Sequence, residues 1–84
     1  MSELLNPHNQ EIIKRSNKNF QWFVTHFNKI KNDYRGRFIA IDNNDVIDSD
    51  IEQATLLNRL SEKYDDIRHI FIHYISEKDY VSII

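Results

Sequence analysis

Acidic side chains cluster in the middle of this 84-residue chain, and calcium binding is the first chemistry that they suggest. The acids are Asp42, Asp45, Asp48, Asp50 and Glu52. A calcium loop takes oxygen ligands from alternate positions and needs a glycine at its sharp bend. Val46 stands where an oxygen ligand would be required, and the segment has no glycine. We therefore interpret these acids as turn and helix-cap residues and predict no metal site.

Two histidines four residues apart would suit a metal if they lay on a helix. His69 immediately precedes the segment Ile70 to Ile75 and His73 lies within it. This segment is short and rich in β-branched residues and therefore predicts a strand. At about 3.4 Å per residue, four positions of a strand separate the two side chains by about 13 Å, too far for one ion. They are not expected to form a ligand pair.

Nucleophilic and phosphate-binding chemistry also lack a matching pattern. The chain has no cysteine and a single glycine, and no serine stands in a Gly-x-Ser-x-Gly sequence. A thiol nucleophile, a cysteine zinc site and a glycine-rich phosphate loop are therefore excluded. We expect a protein that is not an enzyme and that carries no cofactor.

Composition predicts one folded domain over residues 1–84 with a modest core. The residues are 40% hydrophobic and 29% charged, which is too apolar for a disordered chain. No apolar run approaches the roughly 20 residues of a membrane span, the start does not resemble a signal peptide, and cysteine is absent. We expect a soluble cytoplasmic protein without a membrane partner.

Charge is distributed unevenly along the chain. Residues 1–40 carry seven basic and three acidic side chains, whereas residues 41–84 carry four and ten. Such asymmetry marks either an interaction surface or two faces of one domain that neutralise each other.

The first predicted element is a long helix. Asn6 is a suitable N-cap with Pro7 at the first helical position, and Gly36 can adopt the left-handed conformation that closes a helix. Apolar residues recur at three- and four-residue steps, which predicts a stripe that faces the core. Its members are Ile13, Phe20, Phe23, Val24, Phe27, Ile30 and Tyr34.

A hairpin follows, because two apolar runs flank Asn43-Asn44, and asparagine tolerates the positive φ of a type I′ turn. A two-residue turn would set Ile41 opposite Val46 and Ala40 opposite Ile47. One face would then hold Phe38, Ala40 and Ile47, and the other Ile39, Ile41 and Val46. Since both faces are apolar, we expect cover on each.

The remaining elements complete an α+β fold. Ser49 to Glu52 matches a capping box and predicts a second helix that ends near Tyr64. A right-handed crossover would set the third strand beside the first, in the order 2-1-3 with an antiparallel centre, although a third strand parallel to the second is the alternative. Tyr80 to Ile84 is a possible fourth strand.

The segment around the glycine resembles the DUF5678 family, a group of small prokaryotic and archaeal domains of unknown function. The resemblance covers residues 20–75, and it is carried by Tyr34, Gly36, Arg37, Phe38, Ile39, Ala40 and Ile41. At the turn the family often has Asp or Asn before Gly, whereas this chain has Asn43-Asn44. The resemblance implies the fold and brings no catalytic residue with it.

One candidate surface is a basic and aromatic face of the first helix. It consists of Arg15, Lys18, Trp22, His26 and Lys29, on a side different from the phenylalanine stripe. Trp22 could stack on a base while the cations meet phosphates of single-stranded nucleic acid. Alternatively, Trp22 packs under a strand or against a second copy. The net charge of −2 also argues against general nucleic-acid binding, because nonspecific affinity depends on the number of phosphates neutralised.

The other candidate surface is the apolar end of the sequence, made of Tyr80, Val81, Ile83 and Ile84. Such a β-prone segment is expected to pair on a sheet edge, either within its own chain or with another. We predict a small non-catalytic interaction module that forms a homo-oligomer, a two-fold dimer being the simplest, or binds a small protein partner. Single-stranded nucleic-acid binding is the alternative.

Overall fold

The computed structural model describes residues 7–78, which form an α+β fold with a three-stranded antiparallel sheet. The helices are α1 (Pro7–Thr25), α2 (Phe27–Asp33) and α3 (Gln53–Lys63), and the strands are β1 (Arg37–Asp42), β2 (Asp45–Asp50) and β3 (Phe71–Ile75). The predicted fold class is confirmed. The possible strand Tyr80 to Ile84 lies outside the described residues.

The central strand is β1, which pairs antiparallel with both β2 and β3. The strand order β2-β1-β3 confirms the predicted order, and the alternative with β3 beside β2 is wrong. Because β1 separates them, β2 and β3 run in the same direction at opposite edges of the sheet.

Both faces of β1 are buried, as its sequence predicts. Ile39 and Ile41 pack with Phe23 and Ile30 on the side of α1 and α2. Ala40 packs on the other side, in a cluster whose buried members are Ala40, Leu56, Leu60 and Ile70. The helices therefore cover the sheet on both sides, which confirms the assignment of residues to its two faces.

The hairpin turn has the predicted backbone. Asn43 and Asn44 have φ values of 52° and 59°, which a type I′ turn requires at both central positions. Ile41 lies opposite Val46 as predicted.

One residue further along, the predicted pairing is wrong. Ala40 lies opposite Asp48 and not opposite Ile47, because a bulge in β2 inserts one extra residue at this point. Ile47 still packs against the cluster of Ala40, so the face assignment survives the change in pairing.

The predicted long helix is in fact two helices that meet at His26. α1 begins at Pro7, as expected, but ends at Thr25. The Thr25 hydroxyl donates to the Gln21 carbonyl, and the His26 ring Nδ1 lies 2.9 Å from the Trp22 carbonyl. Side chains that bond to the carbonyls of the preceding turn bend helices, which accounts for the break.

The predicted capping box is also wrong. Ser49 remains part of β2, where its hydroxyl accepts a hydrogen bond from Arg37 Nε at 3.0 Å. α3 begins later, at Gln53, and Glu52 at its N-cap position makes no side-chain cap hydrogen bond. The strand pairing with β1 therefore outcompetes the local cap.

Gly36 occupies the turn that joins α2 to β1. The Arg37 N–H donates to the Tyr34 carbonyl at 3.1 Å, and Gly36, at the third position of this turn, has φ of 74°. A type II turn needs positive φ at that position, which glycine adopts without steric cost. α2 ends at Asp33, so the helix end is where the glycine predicted it.

We expect Gly36→Val to lower the free energy of unfolding by more than about 1 kcal/mol, because a β-branched residue resists positive φ. Gly36→Asn is the matched control and should lose less, since asparagine tolerates the left-handed region. Both substitutions would place a Cβ 2.8 Å from the flexible Glu77 side chain. The difference between their free energies of unfolding therefore reports the cost of positive φ at this position. Urea denaturation measures it, and equal stability of the two variants would contradict the assignment.

Candidate interaction surface

The β2 edge of the sheet carries several charged side chains. Asp45, Asp48 and Asp50 all lie on this strand, and the bulge interrupts its regular pairing. Charges and bulges are the devices by which proteins prevent an edge strand from pairing with another chain. The β2 edge is therefore a poor docking site.

Arg59 on α3 ties this edge to the body of the protein. Its guanidinium donates to both carboxylate oxygens of Asp48 at 3.0 Å and to Asp50 at 2.9 Å. These hydrogen bonds hold the pKa of Asp48 below its ordinary value. The pKa of Asp50 is also lowered, first by the Glu52 backbone N–H and then by Arg59. This cluster is a structural clamp.

The β3 edge has the opposite character. Its five residues, Phe71 to Ile75, include no Asp, Glu, Lys or Arg, and they pair with β1 in an uninterrupted register. No described strand pairs with the other side of β3. Its outer backbone groups thus form a regular edge without charged gatekeepers.

An exposed apolar stripe on α1 borders this edge. Ile13, Phe20 and Val24 are 41%, 46% and 52% exposed, so the prediction that they face the core is wrong. α1 buries Phe23 over the sheet, and the apolar pattern continues around the helix beyond the part that the sheet covers. Because the Phe20 ring lies 5.6 Å from that of Phe71, the stripe continues onto β3.

His73 lies at the middle of β3, on the face that α1 and α2 cover. Its ring lies 5.0 Å from that of Phe23 and stacks 5.7 Å from that of Phe71. This partial burial lowers the pKa of the His73 imidazole. A groove of about 170 Å³ beside it is bordered by Phe27 and by the C-terminal end of β3.

The predicted basic and aromatic face is divided between two places in the structure. Arg15 forms an ion pair with Asp42 at 3.0 Å, and Lys18 lines the same cleft of about 320 Å³. Trp22, His26 and Lys29 line a second groove, about 230 Å³, on the next turns.

Acidic side chains share that second groove. Asp33 and Asp45 line it together with Trp22, whose ring stacks on His26 at a centroid distance of 4.4 Å. Trp22 is half-buried and packs against the core, so one side of its ring is not available to a base. The groove is therefore mixed in charge.

A buried polar network near the hairpin turn escaped the sequence analysis, which had assigned Asp42 to the turn. Asp42 accepts hydrogen bonds from Arg15 at 3.0 Å and from Asn19 at 2.9 Å, and His69 Nε2 lies 3.3 Å from it. Asn19 also donates to the His69 carbonyl at 2.8 Å. The available signal was Asn19, a polar residue four positions before Phe23 on the buried side of α1.

Residues 7–78 contain neither a cluster of metal ligands nor a membrane-spanning helix. Among residues 7–78, no group of three or more potential metal ligands is close enough to hold an ion. No helix within this range is long and apolar enough to cross a membrane. The predicted interaction residues Tyr80, Val81, Ile83 and Ile84 lie outside it.

Comparison with known proteins gave no relative: no family model matches the chain, and neither a curated protein nor a solved structure does. The resemblance to DUF5678 therefore stays a prediction.

We expect Asp42→Ala to lower the free energy of unfolding by about 2–4 kcal/mol, since it leaves the buried donors of Asn19 and His69 without their acceptor. Asp45→Ala, in an exposed position three residues away, is the matched control and should change stability by less than about 0.5 kcal/mol. Urea denaturation of both variants tests this. A similar loss in both would mean that the network does not stabilise the fold.

Proposed function

We propose that this chain is a small non-catalytic protein-interaction module that self-associates through the β3 edge and the exposed stripe of α1. The stripe is Ile13, Phe20 and Val24, continued on the strand by Phe71. We place its action in the cytoplasm, in keeping with a sequence free of cysteine.

The supporting observation is the continuity between an edge without charges and an apolar helix surface. Phe20 and Val24 are each about half exposed, and completing their burial would contribute about 1 kcal/mol apiece, half of the usual value for a whole side chain. Pairing of β3 would satisfy backbone groups at the same time. Edge pairing combined with apolar contact is a recurrent mode of protein recognition.

The buried network supports a role without catalysis. Asp42 and His69 hold each other and two side chains of α1, and each buried side-chain polar atom among the described residues has a partner. A catalytic base must instead reach a proton on a bound substrate. We therefore assign Asp42 to the attachment of α1.

Nucleic-acid binding has weaker support. Arg15 is already paired with Asp42, and Asp33 and Asp45 border the groove of Trp22. Carboxylates at these positions would repel phosphates, and nonspecific affinity depends on the number of phosphates that cations neutralise.

We expect single-stranded oligonucleotides at low salt to leave Trp22 fluorescence unchanged. Trp22 is the only tryptophan, so the signal reports on this groove alone. Asp45→Asn is a useful comparison because it removes a repelling charge at the groove. Quenching of the parent protein that weakens as salt rises, and that Lys29→Ala reduces, would favour nucleic-acid binding over our proposal.

Light scattering at micromolar concentration should report about twice the chain mass of 10.2 kDa. Val24→Lys places a charge within the stripe and should raise the dissociation constant at least about tenfold. Ile51→Lys is the control: Ile51 is 67% exposed but follows β2, at the other side of the sheet, and its substitution should leave the mass unchanged. A monomeric parent protein would overturn the proposed function, and equal behaviour of the two variants would move the contact away from α1.

A further inference from the structure

The β3 edge and the α1 stripe together restrict what can cover them. A bound peptide strand would pair with β3 but would bring no element above the sheet to cover Phe20 and Val24. A second copy of this chain offers both, because its own β3 carries an α1 on one face. The occupant must therefore present a strand and an apolar helix in a fixed relation.

We infer that two copies pair β3 with β3 in antiparallel fashion about a two-fold axis at His73, and that acidification separates them. The result would be a continuous six-stranded sheet. This inference rests on the proposed self-association and specifies its partner and its regulation.

The register follows from the length of the strand. Pairing centred on His73 matches all five residues, so that Phe71 lies opposite Ile75 of the second copy and Ile72 opposite Tyr74. A shift of the centre to Ile72 or Tyr74 leaves some of these residues unpaired. Directly opposed residues of antiparallel strands point to the same face of a sheet, so His73 meets its own copy.

The same axis brings the two α1 helices together. It is perpendicular to the sheet, so both copies carry α1 on the same face. The exposed side of α1 that borders β3 then faces the second copy across the axis. Phe20, which lies against Phe71, comes to the Ile75 end of the other β3, which Phe27 of that copy borders. One symmetry operation therefore covers the edge and the stripe, and the interface closes after two copies.

His73 makes this arrangement sensitive to pH. Its neighbours on α1 and β3 are the apolar rings of Phe23 and Phe71, and its opposite residue on β1 is Ile39. The charged residues that share its groove are Lys31 of α2 and Lys78, both cationic. Burial among these apolar rings disfavours the protonated form of His73. A second His73 at the axis adds like-charge repulsion.

The direction of the effect follows from proton linkage. Burial lowers the pKa of His73 in the folded chain, so neutral rings predominate above its ordinary value of 6.5 and pairing is fully favourable there. As pH falls through the lowered pKa of His73 in the separated folded chain, separated copies take up protons more readily than paired ones, in which the ring is buried further. With two rings per dimer, the dissociation constant can rise by up to about 100-fold per pH unit.

Sedimentation of the full chain between pH 8 and pH 5, with circular dichroism to verify folding, tests the pH dependence. We expect dimers at pH 8 and monomers at pH 5 over a concentration range in which both stay folded. His73→Gln should remain dimeric at pH 5, whereas His73→Lys should be monomeric throughout. His26→Gln is the control, since His26 lies away from β3, and it should behave like the parent chain.

The absence of cysteine allows a direct test of the axis. Directly opposed strand residues have Cα atoms about 4.5–5.5 Å apart, which a disulfide can bridge. The single-cysteine variant His73→Cys should therefore cross-link into dimers under oxidised glutathione. Tyr74→Cys, which lies opposite Ile72 of the second copy, should cross-link at least about tenfold more slowly.

The outcomes separate this inference from the proposed function. A full chain that stays monomeric at pH 8 would overturn both. A dimer that persists in His73→Lys, or that shows no preference for cross-linking at position 73, would overturn the β3 pairing and leave self-association standing. Removal of residues 80–84 should preserve the cross-link. If a folded chain without residues 80–84 no longer cross-links, self-association depends on the C-terminal segment, as the sequence analysis expected. That result would overturn the inference.

Discussion

The burial of β1 on both faces is the constraint on which the structure depends. Ile39, Ala40 and Ile41 have no exposure to solvent, although they point alternately to opposite sides of the sheet. A strand of this kind needs a helix above and below and a strand on each side. β2 and β3 are those flanking strands, and within residues 7–78 no further strand pairs with the outer side of either.

The buried network at the end of β1 determines how α1 covers the sheet. Arg15 and Asn19 hold the middle of α1 against Asp42, and the Asn19 bond to the His69 carbonyl joins the same helix to the segment that precedes β3. In this position Phe23 points into the core, while Phe20 and Val24 point past the sheet. The wide apolar surface of α1 would allow the helix to pack on the sheet in several rotations about its own axis. Hydrogen bonds require defined distances, so this network selects one of them.

Most of the fold could be predicted from the sequence because a few residues have strong local preferences. Gly36 and the Asn43-Asn44 pair accept positive φ, and they located a helix end and a hairpin turn correctly. Alternating apolar residues then assigned both faces of β1. These signals depend on backbone sterics and on burial, both of which are encoded locally.

The failures have a common cause, which is competition between local signals and pairing partners distant in sequence. Ser49 matches a cap, but pairing with β1 and the bond from Arg37 keep it in β2. Ile47 became the extra residue of a bulge, which period-two alternation does not reveal. Nothing local to Phe20 shows that the sheet ends beneath it. For the candidate surface, the sequence therefore predicts only that a sheet edge is available for pairing. The exposed stripe on α1 could be recognised only in the structure.

The uneven charge along the sequence has a structural explanation that bears on the candidate surface. Arg15 from the basic part of the chain neutralises Asp42 from the acidic part, while Arg59 is bound by Asp48 and Asp50 on the edge of β2. These ion pairs attach α1 to the sheet and place paired charges on the β2 edge. β3 lies at the opposite edge of the sheet from β2, and its five residues include no Asp, Glu, Lys or Arg. The β3 edge is regular and uncharged and is flanked by an apolar helix, so it lacks the charges and the bulge that protect the β2 edge from pairing. This difference, more than hydrophobicity alone, is the reason why we propose β3 as the surface where a second chain adds to the sheet.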